Sequence, residues 1–201
     1  MALGFGIGST FFGAGAALAM AGGSAAAANA LFAIGAVFFT SAAAVQLKSA
    51  VNHFPPGPAR LRRGVVDPDL VSSGIQLIGT LYFNVMTIRA VTLPPTAADY
   101  DQVWGPDVIG SACFLISSWI AWHPIVRARR HQLVRDRSQM ILWWNMTGSV
   151  FFAISAWGAK LVGTDTVQNL LWDNLGTFLG ACGFLLAAFL TWPSRRASRG
   201  T

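Results

Sequence analysis

Gln76-Leu77-Ile78-Gly79-Thr80-Leu81-Tyr82-Phe83 sets a pattern that returns at Asn145-Met146-Thr147-Gly148-Ser149-Val150-Phe151-Phe152 and at Asp107-Val108-Ile109-Gly110-Ser111-Ala112-Cys113-Phe114. Each copy reads polar residue, two residues, Gly, Ser or Thr, two residues, Phe. Phe5-Gly6-Ile7-Gly8-Ser9-Thr10-Phe11-Phe12 keeps everything but the polar lead, and Phe32-Ala33-Ile34-Gly35-Ala36 is looser still. The last copy, Asp173-Asn174-Leu175-Gly176-Thr177, has Gly180 where the others place Phe. Because internal repetition fixes architecture more firmly than local propensity, the segments that carry the copies decide the fold.

Those segments are apolar blocks. Of 201 residues, 54% are hydrophobic and 11% charged, against roughly 25% charged in soluble domains; mean hydropathy is +0.52. Blocks of about 20 apolar residues match the roughly 30 Å hydrocarbon core of a bilayer. Six are expected, in three hairpins over residues 3–47, 70–126 and 139–192: Leu3–Ala21, Ala26–Leu47, Leu70–Val91, Pro106–Val126, Gln139–Val162 and Asn169–Trp192. The first is expected to be a true span, since it carries the motif and has no basic residue ahead of it, as a signal peptide would.

Basic residues orient the spans. Lys48, Arg60, Arg62 and Arg63 fall in the linker 48–69, Arg127, Arg129, Arg130, Arg135 and Arg137 around the linker 127–138, and Arg195, Arg196 and Arg199 in the tail 193–201. The opposite loops hold Asp99, Asp101 and Asp165. Cytoplasmic loops carry the Lys/Arg excess, so both ends of the chain and the two linkers are expected inside the cell. The net charge of +6 then serves orientation and contact with anionic headgroups, not nucleic acid. Arg89 and Lys160 are expected to snorkel at the outer interface, and Trp104 and Trp172 to mark it, with Trp122, Trp143, Trp144 and Trp192 on the inner side. Phe54-Pro55-Pro56-Gly57-Pro58 reads as a stiff non-helical connector.

Helices in lipid associate by close packing, which small residues allow. Gly8, Gly35, Gly79, Gly110, Gly148 and Gly176 with their small successors therefore read as notches, the Phe one turn on as a knob for a neighbour's notch, and Gly176 with Gly180 as a GxxxG pair. Hairpins that all enter the membrane the same way round are parallel repeats, unlike the inverted repeats of many transporters. The expected fold is an all-α integral membrane protein of six transmembrane helices in three tandem hairpins, with pseudo-threefold symmetry.

A two-helix hairpin with a G-[ST]-x-x-F notch and a Trp shortly before its second helix resembles the YrhK-like membrane domain, over about residues 76–115 and 145–185. The resemblance implies a bacterial integral membrane protein, hence the inner membrane, with no established activity and no catalytic residues to carry over.

Polar residues within spans are costly and mark candidate sites. Asp107 and Asp173, each three residues before a motif Gly, read first as caps of helices starting at Pro106 and Asn169, and second as facing carboxylates at an outer mouth. Gln76 and Asn145 hold the same position on the cytoplasmic side, as interhelical amides or a polar vestibule; Asn84 is the midplane candidate. Cys113 and Cys182 read as small buried hydrophobes. His53, His123 and His131 have no partner at metal-ligand spacing, Gly4-Phe5-Gly6-Ile7-Gly8 follows no strand and is no phosphate loop, and no catalytic set or cofactor motif is present. Two functions are expected in this order: a non-enzymatic module that packs against itself or a membrane partner, or a small cation- or proton-coupled transporter or channel.

Overall fold

The computed structural model describes residues 1–53, 67–93, 97–128, 137–162, 166–167 and 169–192, with backbone alone at 97–99, 124–128, 161–162 and 166–167. The Pro-rich connector 54–58, Arg60, Arg62, Arg63, Arg129, Arg130, Arg135, Arg195, Arg196, Arg199, His131 and Asp165 lie outside the described residues, as does the Arg127 side chain. Six helices follow in chain order: α1 Ala2–Met20, α2 Ala25–His53, α3 Pro68–Thr92, α4 Ala97–Ala128, α5 Arg137–Gly158 and α6 Leu170–Thr191. Between α5 and α6, Leu161–Val162 pairs with Thr166–Val167 in a two-residue antiparallel ladder.

Local chemistry sets the ends. Gly22 adopts φ +74°, a left-handed turn that costs glycine nothing, and Gly23 N–H returns to the Leu18 carbonyl at 2.9 Å. Asp67 caps α3 through the Asp69 N–H at 2.8 Å, with Pro68 in the first turn, where its missing N–H does no harm. Asn169 caps α6 through the Trp172 N–H at 3.1 Å.

Several boundaries differ from expectation. α2 runs on to His53 and α5 stops at Gly158, short of Val162. The largest difference is α4, which starts at Ala97 and passes through Pro106. Pro106 cannot donate to the Gln102 carbonyl one turn back, and Arg89 Nη1 donates to that carbonyl instead, at 2.8 Å. Arg89 thus fills a gap left by proline in the next helix. Among the described residues, five helical stretches are long and apolar enough to cross a membrane: α1, α2, α3, Tyr100–His123 of α4, and α6. α5 is not among them, because Gln139, Trp143, Trp144, Asn145 and its Ser/Thr residues dilute its hydropathy.

The helices form a closed ring. Each packs on its neighbours in sequence, and α6 returns to pack on α1, with the broadest contacts inside the pairs α1–α2, α3–α4 and α5–α6. Within each pair two glycines cross: a Cβ on Gly8 would lie 3.0 Å from the Gly35 oxygen, one on Gly79 3.1 Å from the Gly110 oxygen, and one on Gly148 3.0 Å from the Gly180 oxygen. In the third hairpin, therefore, Gly180 and not Gly176 is the counterpart of Gly35 and Gly110. The matching copy of the motif is Gly180-Ala181-Cys182-Gly183-Phe184, one turn later than the sequence reading placed it.

With that register, one phenylalanine per helix stands four residues after its glycine. Phe12, Phe83 and Phe152, from the odd helices, touch pairwise with ring centroids 5.8–6.1 Å apart. Phe39, Phe114 and Phe184, from the even helices, do the same at 5.3–6.2 Å. The two triangles stack through Phe12–Phe39, Phe83–Phe114 and Phe152–Phe184 at 5.1–5.3 Å, and none of the six rings is more than 4% exposed. Each ring also lies over the crossing glycine of its partner helix. The residues just after the glycines, Ser9, Ala36, Thr80, Ser111, Ser149 and Ala181, are all buried. Large aliphatics such as Val37, Leu81, Ile88, Ile116 and Leu186 face outward instead. Small and hydroxyl residues inside with bulky apolar residues outside is the distribution of a bundle embedded in lipid, where packing replaces the hydrophobic effect between helices.

Candidate functional site

A helix places residues seven apart on one face. The residue three before each motif glycine therefore shares the axis-facing stripe of the phenylalanine four after it. All six such residues line cavities: Phe5, Gln76 and Asn145 at the end of the bundle that holds Met1 and Thr191, and Phe32, Asp107 and Thr177 at the end that holds the hairpin turns. The two cavities, here the terminal and the hairpin cavity, are each about 460 Å³. Phe184 borders the terminal cavity and Phe12, Phe83 and Phe152 floor the other, so the stacked rings stand between them.

The terminal cavity is lined by apolar residues interspersed with hydroxyls and amides. Gln76 Oε1 accepts from Gln46 of α2 and Ser117 of α4, both at 3.5 Å, and Ser117 also donates to the Ser72 carbonyl at 2.8 Å. Ser149 donates to the Asn145 carbonyl at 2.9 Å and shares a 2.7 Å bond with Ser118 across the α4–α5 seam. Gln76 and Asn145 thus line one vestibule, with Gln76 also linking helices. His53, Asp67 and Asp69 complete the lining.

The hairpin cavity holds the two aspartates singled out in the sequence. Asp107 and Asp173 both line it, with Arg89, Tyr100, Trp104, Ser111 and Ser155. The two aspartates are not equivalent. Asp173 stands in the first turn of α6, where a carboxylate meets the positive end of the helix dipole. Its Oδ1 accepts from Ser155 at 3.3 Å, and Ser155 bonds the Asp173 carbonyl at 2.6 Å and Thr177 at 2.7 Å. Asp107 lies about three turns into α4, so the capping role read from Trp104-Gly105-Pro106 is overturned: the helix began at Ala97. Ser111, one turn on from Asp107, is 2% exposed and its Oγ has no hydrogen-bond partner.

Asn84 belongs to neither cavity. Its amide donates to Thr40 of α2 at 2.5 Å and to the Thr80 carbonyl at 2.9 Å, which ties α2 to α3. Trp104, expected at the membrane interface, points its Nε1 at the Ala156 carbonyl at 2.8 Å, and Tyr100 donates to the Ala159 carbonyl. These carbonyls lie at the end of α5, where the helix leaves acceptors unpaired. Cys113 and Cys182 are free and half-buried.

Tyr100, Ser111 and Ser155 were not singled out by sequence. Ser111 was visible as the residue after a motif glycine, but its unpartnered hydroxyl was not; Tyr100 and Ser155 carry no motif. Among the described residues no cluster of three or more His, Cys, Asp or Glu could hold a metal ion. Comparison with known proteins finds no matching family model, no similar curated protein and no similar solved structure.

Proposed function

We propose that the protein is a small membrane transporter for cations or protons, held here with its path closed. The observation that carries this reading is the pair of cavities on one axis, separated by six phenylalanines, with Asp107 and Asp173 lining one and Asp67 and Asp69 the other. In this proposal all six helices span the membrane as three parallel hairpins, with Met1 and the basic linkers in the cytoplasm of a bacterial inner membrane. The hairpin cavity then opens outward, as the positive-inside rule requires. The YrhK-like resemblance fits the hairpin unit and adds no activity. The basic linkers would rest against anionic headgroups.

The division of labour follows from the chemistry. Asp107 and Asp173 would draw a cation into the outer cavity, and two carboxylates in one low-dielectric chamber favour a bound positive charge over mutual repulsion. The rings would block hydrated ions, since a dry aromatic constriction offers no ligands to replace lost water. Passage requires the rings to part, and the hydroxyl and amide lining of the terminal cavity would receive the solute.

The test is flux in proteoliposomes, with protons, potassium and small organic cations offered in turn. Flux that disappears in an Asp107→Asn/Asp173→Asn double variant of unchanged thermal stability is the expected result. Flux unchanged by that double substitution, or no flux of any solute by the native protein, would return the protein to the first expectation, a packing or partner-binding module.

A further inference from the structure

The hairpin cavity carries two signals that inorganic-ion binding alone does not explain. Most of its lining is apolar or aromatic: the Phe12–Phe83–Phe152 triangle forms the floor, and Tyr100 and Trp104 belong to the wall. Hard metal ions demand six or more oxygen ligands or retained water, and this wall supplies few. Of its polar groups, Ser155, Asp173 and Thr177 bond one another, whereas Ser111 Oγ is buried without a partner. Buried hydroxyls are normally satisfied; of the unpartnered buried atoms among the described residues, Ser9 Oγ, Ser111 Oγ and Trp122 Nε1, Ser111 is the one whose residue lines either cavity, where a ligand could complete its bonding.

The charges narrow the choice. Among the described residues of the lining, Asp107 and Asp173 stand with one cation, Arg89, whose guanidinium is engaged by the Gln102 carbonyl and not by either carboxylate. With both carboxylates ionised, the described lining has room for one more positive charge. Aromatic faces attract cations through the ring quadrupole, and most strongly those too weakly hydrated to stay in water, the alkylammonium ions. A volume of about 460 Å³ lies within the range of pockets that enclose small organic ligands.

From this combination we propose that the hairpin cavity binds a monovalent organic ammonium ion. The carboxylates of Asp107 and Asp173 neutralise its charge, Tyr100, Trp104 and the phenylalanine floor cover its alkyl groups, and Ser111 bonds a polar substituent where one is present. The assignment rests on the transport reading only for its physiological meaning; binding itself does not require transport.

The experiment uses the full chain in lipid nanodiscs. Binding of tetramethylammonium, choline, potassium and the neutral choline isostere 3,3-dimethyl-1-butanol is measured by titration calorimetry and by tryptophan fluorescence, because Trp104 lines the site. Choline is expected to bind at least tenfold tighter than potassium and than the neutral isostere, by roughly the worth of one cation–π or charge contact. Asp107→Asn should weaken choline about tenfold or more. Trp104→Leu should weaken it roughly 3- to 30-fold and Trp104→Phe less, as a face lost differs from a face kept. Potassium or the isostere binding as well as choline would overturn the assignment, as would an Asp107→Asn variant of native stability that keeps native affinity. Choline binding without flux would overturn the transport reading alone. Proton or potassium flux without choline binding would overturn the ammonium site alone.

Discussion

The second and third hairpins start from the same notch and diverge by one helical turn. In the second, Gly79 and Gly110 face each other under phenylalanine rings, and a Cβ on Gly110 would first meet the Phe83 ring at 2.9 Å. In the third, glycine continues along the seam. A Cβ on Gly176 would lie 2.8 Å from both the Phe151 oxygen and the Ser155 nitrogen, and one on Gly183 2.9 Å from the Gly148 backbone. Both hairpins pack rings over their crossing glycines, and the third adds backbone-on-backbone contact at Gly176 and Gly183. The carboxylates divide the same way: Asp107 projects from the middle of α4 beside an unsatisfied Ser111, whereas Asp173 sits in a helix's first turn with Ser155 on its oxygen. The lesson is that a glycine can serve as a hinge point for a functional face or as a clamp, depending on what meets its missing Cβ.

The sharpest break of this comparison is Gly176→Ala. Its methyl would meet only backbone, which cannot rotate away, so a loss of about 3 kcal/mol is expected, at the top of the overpacking range. The same change at Gly110 meets the edge of a ring and should cost about 1 kcal/mol. Unfolding in mixed detergent micelles would rank the two; equal losses would erase the distinction between the hairpins. Phe83→Ala and Phe184→Ala, one from each triangle, should each cost about 2–4 kcal/mol through the cavity they leave. Both should raise solute leak in proteoliposomes by joining the two cavities; a tight, unleaky Phe83→Ala variant would show that the rings do not form the barrier.

The carboxylates give smaller effects. Asp173→Asn should lose at most about 0.3–1 kcal/mol of stability, since the helix N-terminus favours its charge while burial opposes it. Asp107→Asn should lose none, because no such helix end favours its charge. Thermal unfolding of the two single variants side by side tests this, and the reverse order would contradict the environments described. Gly74→Ala is the baseline: nothing lies within 4 Å of its missing Cβ, so the variant should gain up to about 1 kcal/mol from helix propensity.

Much of this was legible in the chain. The apolar blocks, the hairpin pairing and the glycine notches follow from composition and a short pattern, because spans must satisfy their backbone internally and can approach only where side chains are small. The position three before each glycine was legible as special, and it lines a cavity in every helix. What misled was local punctuation. Trp104-Gly105-Pro106 reads as a helix start, but proline is tolerated inside α4 because Arg89 of α3 bonds the carbonyl it frees. Gly176 reads as the sixth notch because it follows a polar lead residue, while packing chose Gly180, whose phenylalanine could reach the axis.

The sequence alone determined that six helices would pair through glycine and present one stripe each to a common interior, since a 3.6-residue period and the need for close packing leave little else. Tertiary structure decided where those stripes meet. Only the closure of α6 on α1 brings six phenylalanines from distant segments into two stacked triangles, and only their stacking divides the interior into two cavities. Gln76 and Asn145 fall on the opposite side of that division from Asp107 because antiparallel neighbours present the same motif position at opposite ends of the bundle.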